Sequence, residues 1–230
     1  MHNNIAERLT SAYQQIAEIT AKCQREASTA QLIAVSKTKP VADISEAYAA
    51  GQRAFGENYV QELVSKATEL YQLEGIEWHF IGPIQSNKTK DIALYADWVH
   101  SIERLKIAER LSAHRPLNKA PLRVLLQVNI SGEESKSGIN PADLPALAAE
   151  VARLPQLTLK GLMAIPEPGK GAEAFEQMQK LSLQLQQQHP DAKELSMGMS
   201  DDWQDALRFG STMIRLGTAI FGAREKNSDD

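Results

Sequence analysis

Lys37 closes the apolar run Leu32-Ile33-Ala34-Val35-Ser36-Lys37, which puts an ammonium where a buried β-strand meets the rim of a core. Solvated lysines belong on helix faces, so a lysine delivered to a core rim needs something to pair with or to react with. Desolvation disfavours the charged form of a lysine and frees its amine as a nucleophile, as a Schiff-base lysine requires. The plainer alternative is that Lys37 marks where the strand emerges into solvent. A second group of chemically apt residues comes late in the chain: Ser196-Met197-Gly198-Met199-Ser200, then Arg215-Leu216-Gly217-Thr218-Ala219-Ile220-Phe221-Gly222. Gly217 lets an anion's oxygen approach the main chain, while Ser200 and Thr218 add donors, which together suit a phosphate. A helical run over 203–209 would point free N–H groups at the same anion. Asp201 and Asp202 are expected as first-turn helix residues facing away from it. The competing reading makes Ser200 a helix N-cap and Gly217 a packing glycine.

Those residues need a scaffold, and the chain alternates in a way that supplies one. Ile5, Leu9, Tyr13, Ile16, Ile19 and Cys23 recur at helical spacing and predict an opening amphipathic helix. Then β-like runs at 32–37, 54–58, 78–82, 98–102, 124–130, 157–165, 194–199 and 213–221 alternate with helical runs such as 44–50, 60–70, 105–111, 144–154 and 175–187. Such alternation implies parallel pairing through right-handed crossovers, and eight strands close a (β/α)8 barrel of the TIM type. An open doubly wound sheet is the alternative. No helix is expected after strand eight, where the opening helix would cover the barrel instead. No linker splits the chain, so residues 1–230 read as one domain: an N-terminal helix over 1–28, the barrel over 31–222 and a polar tail over 223–230.

In such barrels chemistry gathers at the carboxyl ends of the strands. Taken in order, those ends carry Lys37, Asn58, Gly82-Pro83, Ser101, Asn129, Met163, Ser200 and Gly217-Thr218. Strand one neighbours strand eight in a closed barrel, so one ligand bridging Lys37 and the phosphate cradle would carry an aldehyde and a phosphate. Pyridoxal 5′-phosphate is such a molecule. Arg215, two residues before Gly217 and on the same face, would reach its pyridine nitrogen. A guanidinium only donates, so that nitrogen would stay unprotonated and the ring a weaker electron sink. The alternative for Arg215 is an interior ion pair with a carboxylate on another strand.

Composition sets the limits. The 230 residues are 43% hydrophobic and 23% charged, with a formal net charge of −4 that argues against general nucleic-acid binding. Cys23 is the only cysteine, which fits a reducing compartment. With no apolar run near the length of a membrane span and no signal peptide, a cytoplasmic location is expected. His79, His100 and His114 lack metal-ligand spacing, so no metal site is expected, and His79 and His100 read as hydrogen-bonded interior groups. Trp78, Trp98 and Trp203 read as packing anchors. No dinucleotide fingerprint follows strand one.

The segments Ala34–Lys39, Phe55–Glu62, Trp78–Pro83, Gln85–Lys88, Ser135–Gly138, Gly161–Pro166, Ser196–Asp202 and Arg215–Gly222 together resemble the pyridoxal phosphate homeostasis protein family, in order from about Leu32 to Arg224. The resemblance implies a single barrel like that of alanine racemase, with pyridoxal phosphate held as a Schiff base on Lys37. It implies phosphate contacts from Ser200, Gly217 and Thr218, Arg215 near the ring nitrogen, and Asn58 and Met163 lining the pocket. It implies a role in vitamin B6 and amino-acid homeostasis, by buffering the cofactor or delivering it to apo-enzymes, with no established reaction and no catalytic residues. A small amino-acid racemase is the alternative. A two-base racemase needs an acid or base on each face of the cofactor. Related racemases take their second, a tyrosine, from a C-terminal domain, for which no counterpart is expected here. Tyr13, Tyr48, Tyr71 and Tyr95 fall on predicted helices, which leaves Tyr59 alone near the rim. Without that domain's dimer surface a monomer is expected. Lys39 and Lys136, as transient carriers during cofactor entry, compete with their reading as solvated loop lysines.

Overall fold

The computed structural model describes residues 4–26, 29–133 and 136–223. Ser135, Arg224 and the rest of the polar tail, and residues 1–3, 27 and 28 of the N-terminal stretch lie outside them. The first helix, α1 (Ile5–Lys22), starts at Asn4, whose side chain accepts the Glu7 N–H at 2.8 Å as an N-cap. It ends at Cys23, after which Gln24 takes a left-handed φ of 57°. The chain then leaves the helix axis, and Arg25 donates to the carbonyls of Leu207 and Ser211.

Eight strands follow: β1 (Gln31–Val35), β2 (Ala54–Glu57), β3 (Glu77–Phe80), β4 (Trp98–Ile102), β5 (Leu122–Gln127), β6 (Leu157–Met163), β7 (Glu194–Ser196) and β8 (Met213–Leu216). Each pairs in parallel with the next, and β8 pairs with β1, so the sheet is a closed barrel. Between them run α2 (Val41–Ala49), α3 (Val60–Glu69), α4 (Thr89–Tyr95), α5 (Leu105–His114), α6 (Leu144–Ala152), α7 (Gly171–Gln188) and α8 (Trp203–Arg208). Strand alternation divides the core in two. Leu32, Ala34, Ile214 and Leu216 join the large cluster under the helices. Ile33 and Met213 join Ala54, Trp98, Leu125 and Met163 in a small cluster that fills the barrel axis.

Several predicted strands run past their observed ends. β8 stops at Leu216 because Gly217 turns into helical geometry (φ −111°, ψ −74°) and its carbonyl accepts from Ile220 and Phe221. A helix does therefore follow strand eight: α9 (Thr218–Phe221) buries Ile220 and Phe221, the apolar pair that reads as strand in the sequence. As expected, α1 covers this seam; Ile5 and Leu9 are buried there and Arg8 Nε donates to Ile220 O at 2.8 Å. β5 ends at Gln127, beyond which Val128 donates to the Met163 carbonyl and forms an isolated bridge to Ile139. Tyr71 lies in the turn after α3 rather than on a helix.

Candidate functional site

β1 ends two residues short of Lys37, which stands half-buried in a turn and makes no hydrogen bond or ion pair with any described residue. The amine is thus held at the mouth without a partner. What holds it is a brace on the helix side. Glu57, fully buried at the end of β2, accepts from Ser36 Oγ and from Lys66 Nζ, each at 2.7 Å. Lys66 also donates to the carbonyl of Ser36 (2.7 Å) and to Glu62 (3.1 Å), and Glu62 in turn accepts the Thr38 N–H at 2.7 Å. Both residues flanking Lys37 are therefore tied to α3. Thr38 adopts a left-handed φ of 64°, which ends the strand alternation. Lys39 consequently turns to the barrel seam and donates to the carbonyls of Gly222 and Ala223. Burial pushes the Glu57 carboxyl above its ordinary value, against the pull of Lys66.

The β1–β2 register, Val35 opposite Gly56, brings Lys37 and Asn58 to the same level of the mouth. Asn58 is pinned by Gly82: a Cβ there would fall 2.1 Å from the Asn58 carbonyl, so only glycine lets the two segments pass. Asn58 Oδ1 is buried without a hydrogen-bond partner and lines a cavity of about 390 Å³ together with Ile81, Ser101, Gln127, Asn129 and Ile165. That volume suits a small ligand. Of the strand-end and loop residues singled out in the sequence, Asn58, Pro83, Ser101, Asn129 and Lys136 line it, whereas Lys37, Ser200, Arg215, Gly217 and Thr218 do not. Met163 lies beneath, fully buried in the axial cluster, as floor rather than wall.

On the other side, β7, β8 and β1 are adjacent, which gathers Ser200, Gly217 and Thr218 beside the Lys37 strand. Ser200 and Thr218 are exposed, and their hydroxyls make no hydrogen bond with any described residue. The N–H groups of Thr218 and Ala219 precede the first intrahelical bond of α9 and are left for another acceptor. Ser200 is not the N-cap of α8; Asp202 occupies that position. Asp201 and Asp202 thus stand before the helix instead of in its first turn, and Asp202 Oδ1 accepts the Met199 N–H at 2.8 Å. This turn needs Gly198, whose φ is +103° and whose added Cβ would meet Ala206 Cβ at 2.7 Å.

Arg215 is buried on the barrel axis. The interior ion pair with a carboxylate is not what holds it: Nη1 donates to Ser196 Oγ at 2.5 Å and Nη2 to Ala164 O at 3.1 Å. Burial lowers its pKa to about 10, with Asp202 opposing, so it stays charged at neutral pH. His79 and His100 are interior and hydrogen-bonded, as expected: His79 Nδ1 and His100 Nε2 are 2.9 Å apart, and His100 Nδ1 is 2.8 Å from Ser196 Oγ. Burial lowers both imidazole pKa values, that of His100 far more. Sequence reading missed Ser196, Glu57 and Lys66. Inward-facing polar residues at strand spacing (Glu77 and His79, His100, Ser196) were the available signal for the first; nothing in the sequence separates Lys66 from a solvated helix lysine.

The residues present fit a phosphorylated aldehyde. They offer an unpaired amine, an orphaned amide oxygen, unspent hydroxyl and N–H donors, and a guanidinium with free hydrogens. No helix of the described residues is long and apolar enough to cross a membrane. Residues 11–225 match the family model for the alanine racemase N-terminal domain. The pyridoxal phosphate homeostasis protein of Vibrio cholerae is 54% identical over 229 residues, covering 96% of this chain and 97% of the relative. PipY of Synechococcus elongatus, solved with PLP bound, is 42% identical with a TM-score of 0.81, over 95% of this chain and all of that one. Alanine racemase from Corynebacterium glutamicum shares the fold alone, at 16% identity and a TM-score of 0.64, with this chain spanning 63% of it. The chain belongs to the pyridoxal phosphate homeostasis protein family, within the wider alanine racemase N-terminal domain family.

Proposed function

We propose that this protein binds pyridoxal 5′-phosphate and serves in its homeostasis, by buffering the free aldehyde or delivering it to apo-enzymes. The observation that carries the reading is the unpaired, half-buried amine of Lys37, braced at the mouth of the barrel beside unspent phosphate donors. In this reading the Lys37 amine condenses with the cofactor's aldehyde, releasing one water and forming a C=N bond that amines can later exchange. Ser200, Thr218 and the main chain at Gly217 hold the phosphate. Asn58 supplies an acceptor at the rim, and Met163 packs beneath. Arg215 donates toward the ring nitrogen and keeps a proton off it, which weakens the ring as an electron sink. The names of the relatives and the PLP-bound PipY structure support this reading. A cytoplasmic monomer is part of the proposal.

Borohydride reduction of the loaded protein, followed by peptide mass mapping, is expected to place the adduct on Lys37 and to fail with Lys37→Ala. An adduct that maps elsewhere refutes the assignment. Mixing the loaded protein with an apo-aminotransferase separates delivery from buffering: recovery of activity faster than with an equal amount of free cofactor supports delivery. Racemisation of amino acids well above the Lys37→Ala background would favour the racemase reading instead.

A further inference from the structure

Behind Ser196 lies a row of buried polar side chains that leads from Arg215 across the barrel to its opposite mouth. Ser196 Oγ is 2.5 Å from Arg215 Nη1 and 2.8 Å from His100 Nδ1. His100 Nε2 is 2.9 Å from His79 Nδ1, and His79 Nε2 is 3.5 Å from Glu77 Oε1 at the start of β3. Ser196, His100 and His79 are completely buried. The two ends of the row together set the direction of its bonds. A guanidinium only donates, so Ser196 Oγ accepts from Arg215. Were it also to accept from a His100 Nδ1–H, its own hydrogen would have no acceptor and a bare His79 Nε2 lone pair would face the Glu77 carboxylate, so the Ser196 hydrogen goes to His100 Nδ1. His100 then carries its proton on Nε2 and donates to His79 Nδ1, which leaves the His79 proton on Nε2. His79 Nε2 is the one imidazole nitrogen of the row without a hydrogen bond, and this assignment makes it an N–H facing the Glu77 carboxylate. Burial keeps both imidazoles neutral.

We propose that Ser196, His100 and His79 are positioning residues for Arg215, a one-way row of hydrogen-bond donors that holds its guanidinium with neutral groups and directs its charge at the cofactor's ring nitrogen. The proposal rests on the preceding reading of the site and deepens it. A carboxylate in direct contact would neutralise Arg215 and compete with the ring for its hydrogens. Here no carboxylate among the described residues touches Arg215: Asp202 acts on it without a hydrogen bond, and the negative charge at the end of the row stands at the far mouth, on Glu77, where Arg123 lies 3.4 Å away. The bonds to Ser196 and Ala164 use one hydrogen on each terminal nitrogen, which leaves the Nε hydrogen and two others for the ring.

Three measurements test this. In the cofactor-free protein, 15N NMR of labelled histidines is expected to find His79 and His100 as neutral Nε2–H tautomers, a result that needs no variant. Exchange of the Arg215 guanidinium protons is expected to quicken about fivefold in Ser196→Ala, the loss of one net hydrogen bond. With pyridoxal phosphate bound, the pH midpoint of the cofactor's absorbance is expected to move by about half a unit or more in Ser196→Ala and His100→Asn, with Ser196→Thr restoring it. Variants that lose thermal stability but keep the wild-type midpoint overturn the proposal, as does an Nδ1–H or protonated histidine in the row. If the wild-type protein takes up no cofactor, the reading of the site falls. The tautomers and exchange rates then decide the row by themselves.

Discussion

Replacing Lys66 with methionine tests the brace behind Lys37. The methionine keeps the packing of the lysine stem but leaves the fully buried Glu57 carboxylate without its cation, and strips a donor from the Ser36 carbonyl. Removing one partner of a buried pair costs about 3–5 kcal/mol. For a domain of this size that corresponds to a fall in Tm of roughly 6–20 °C. The loss has a pH signature. Glu57 is already pushed above its ordinary value by burial, and without Lys66 it rises further. A carboxyl whose folded pKa is raised contributes stability that is present below the unfolded value and lost as pH rises through the folded one. The deficit of Lys66→Met should therefore be small below about pH 4.5 and grow above it. Urea unfolding at pH 4 and pH 8 measures both quantities, and the double variant Glu57→Leu/Lys66→Met should recover most of the loss. Borohydride trapping at Lys37 should slow in the single variant, because the turn it occupies is anchored through the same groups. A single variant within about 1 kcal/mol of wild type at pH 8, below the cost of a broken buried pair, would refute the reasoning.

Glu77 should matter on the acid side. Its contact with His79, reinforced by Arg123 and opposed by burial, holds its pKa at about 2. The stability it contributes is therefore present above about pH 4.5 and lost as pH falls toward 2; after discounting for its partial exposure this is about 1–2 kcal/mol. Urea midpoints of Glu77→Gln and wild type should differ at pH 6 and converge near pH 2. Gly82→Ala should destabilise by about 2 kcal/mol or more, because its Cβ would strike the Asn58 carbonyl. A crystal structure or chemical shifts of that variant should show Asn58 displaced from the cavity.

The barrel was legible because its strands alternate with amphipathic helices at regular spacing, and most predicted helices lie within a few residues of the observed ones. The errors share a cause. The runs at 124–130, 157–165 and 213–221 stay apolar past the last ladder bond, because loops that fold back over a barrel also bury side chains. At 213–221 the composition of Ile220 and Phe221 carries no sign that Gly217 has already turned the chain. Lys37, Asn58 and Arg215 were legible as polar residues on apolar strands. The partners of Arg215 were not, since Ser196 lies in a predicted strand whose inward neighbours are unknown until the β7–β8 register brings it under the guanidinium. Lys66 was hidden because a lysine on a helix looks solvated until a carboxylate behind it is known.

Joining β8 to β1, and laying α1 over α9 through Arg8 and Ile220, gives the ring a seam that unites stretches of the polypeptide 212 positions apart. A nascent chain cannot close that seam until Phe221 has left the ribosome, so earlier strands must wait with an open, unpaired edge. Synthesis that pauses late would leave β1 without its neighbour, and the lysine turn above it unframed. A circular permutant that opens the ring at an exposed loop and links α9 to α1 should shift this vulnerable interval to another strand.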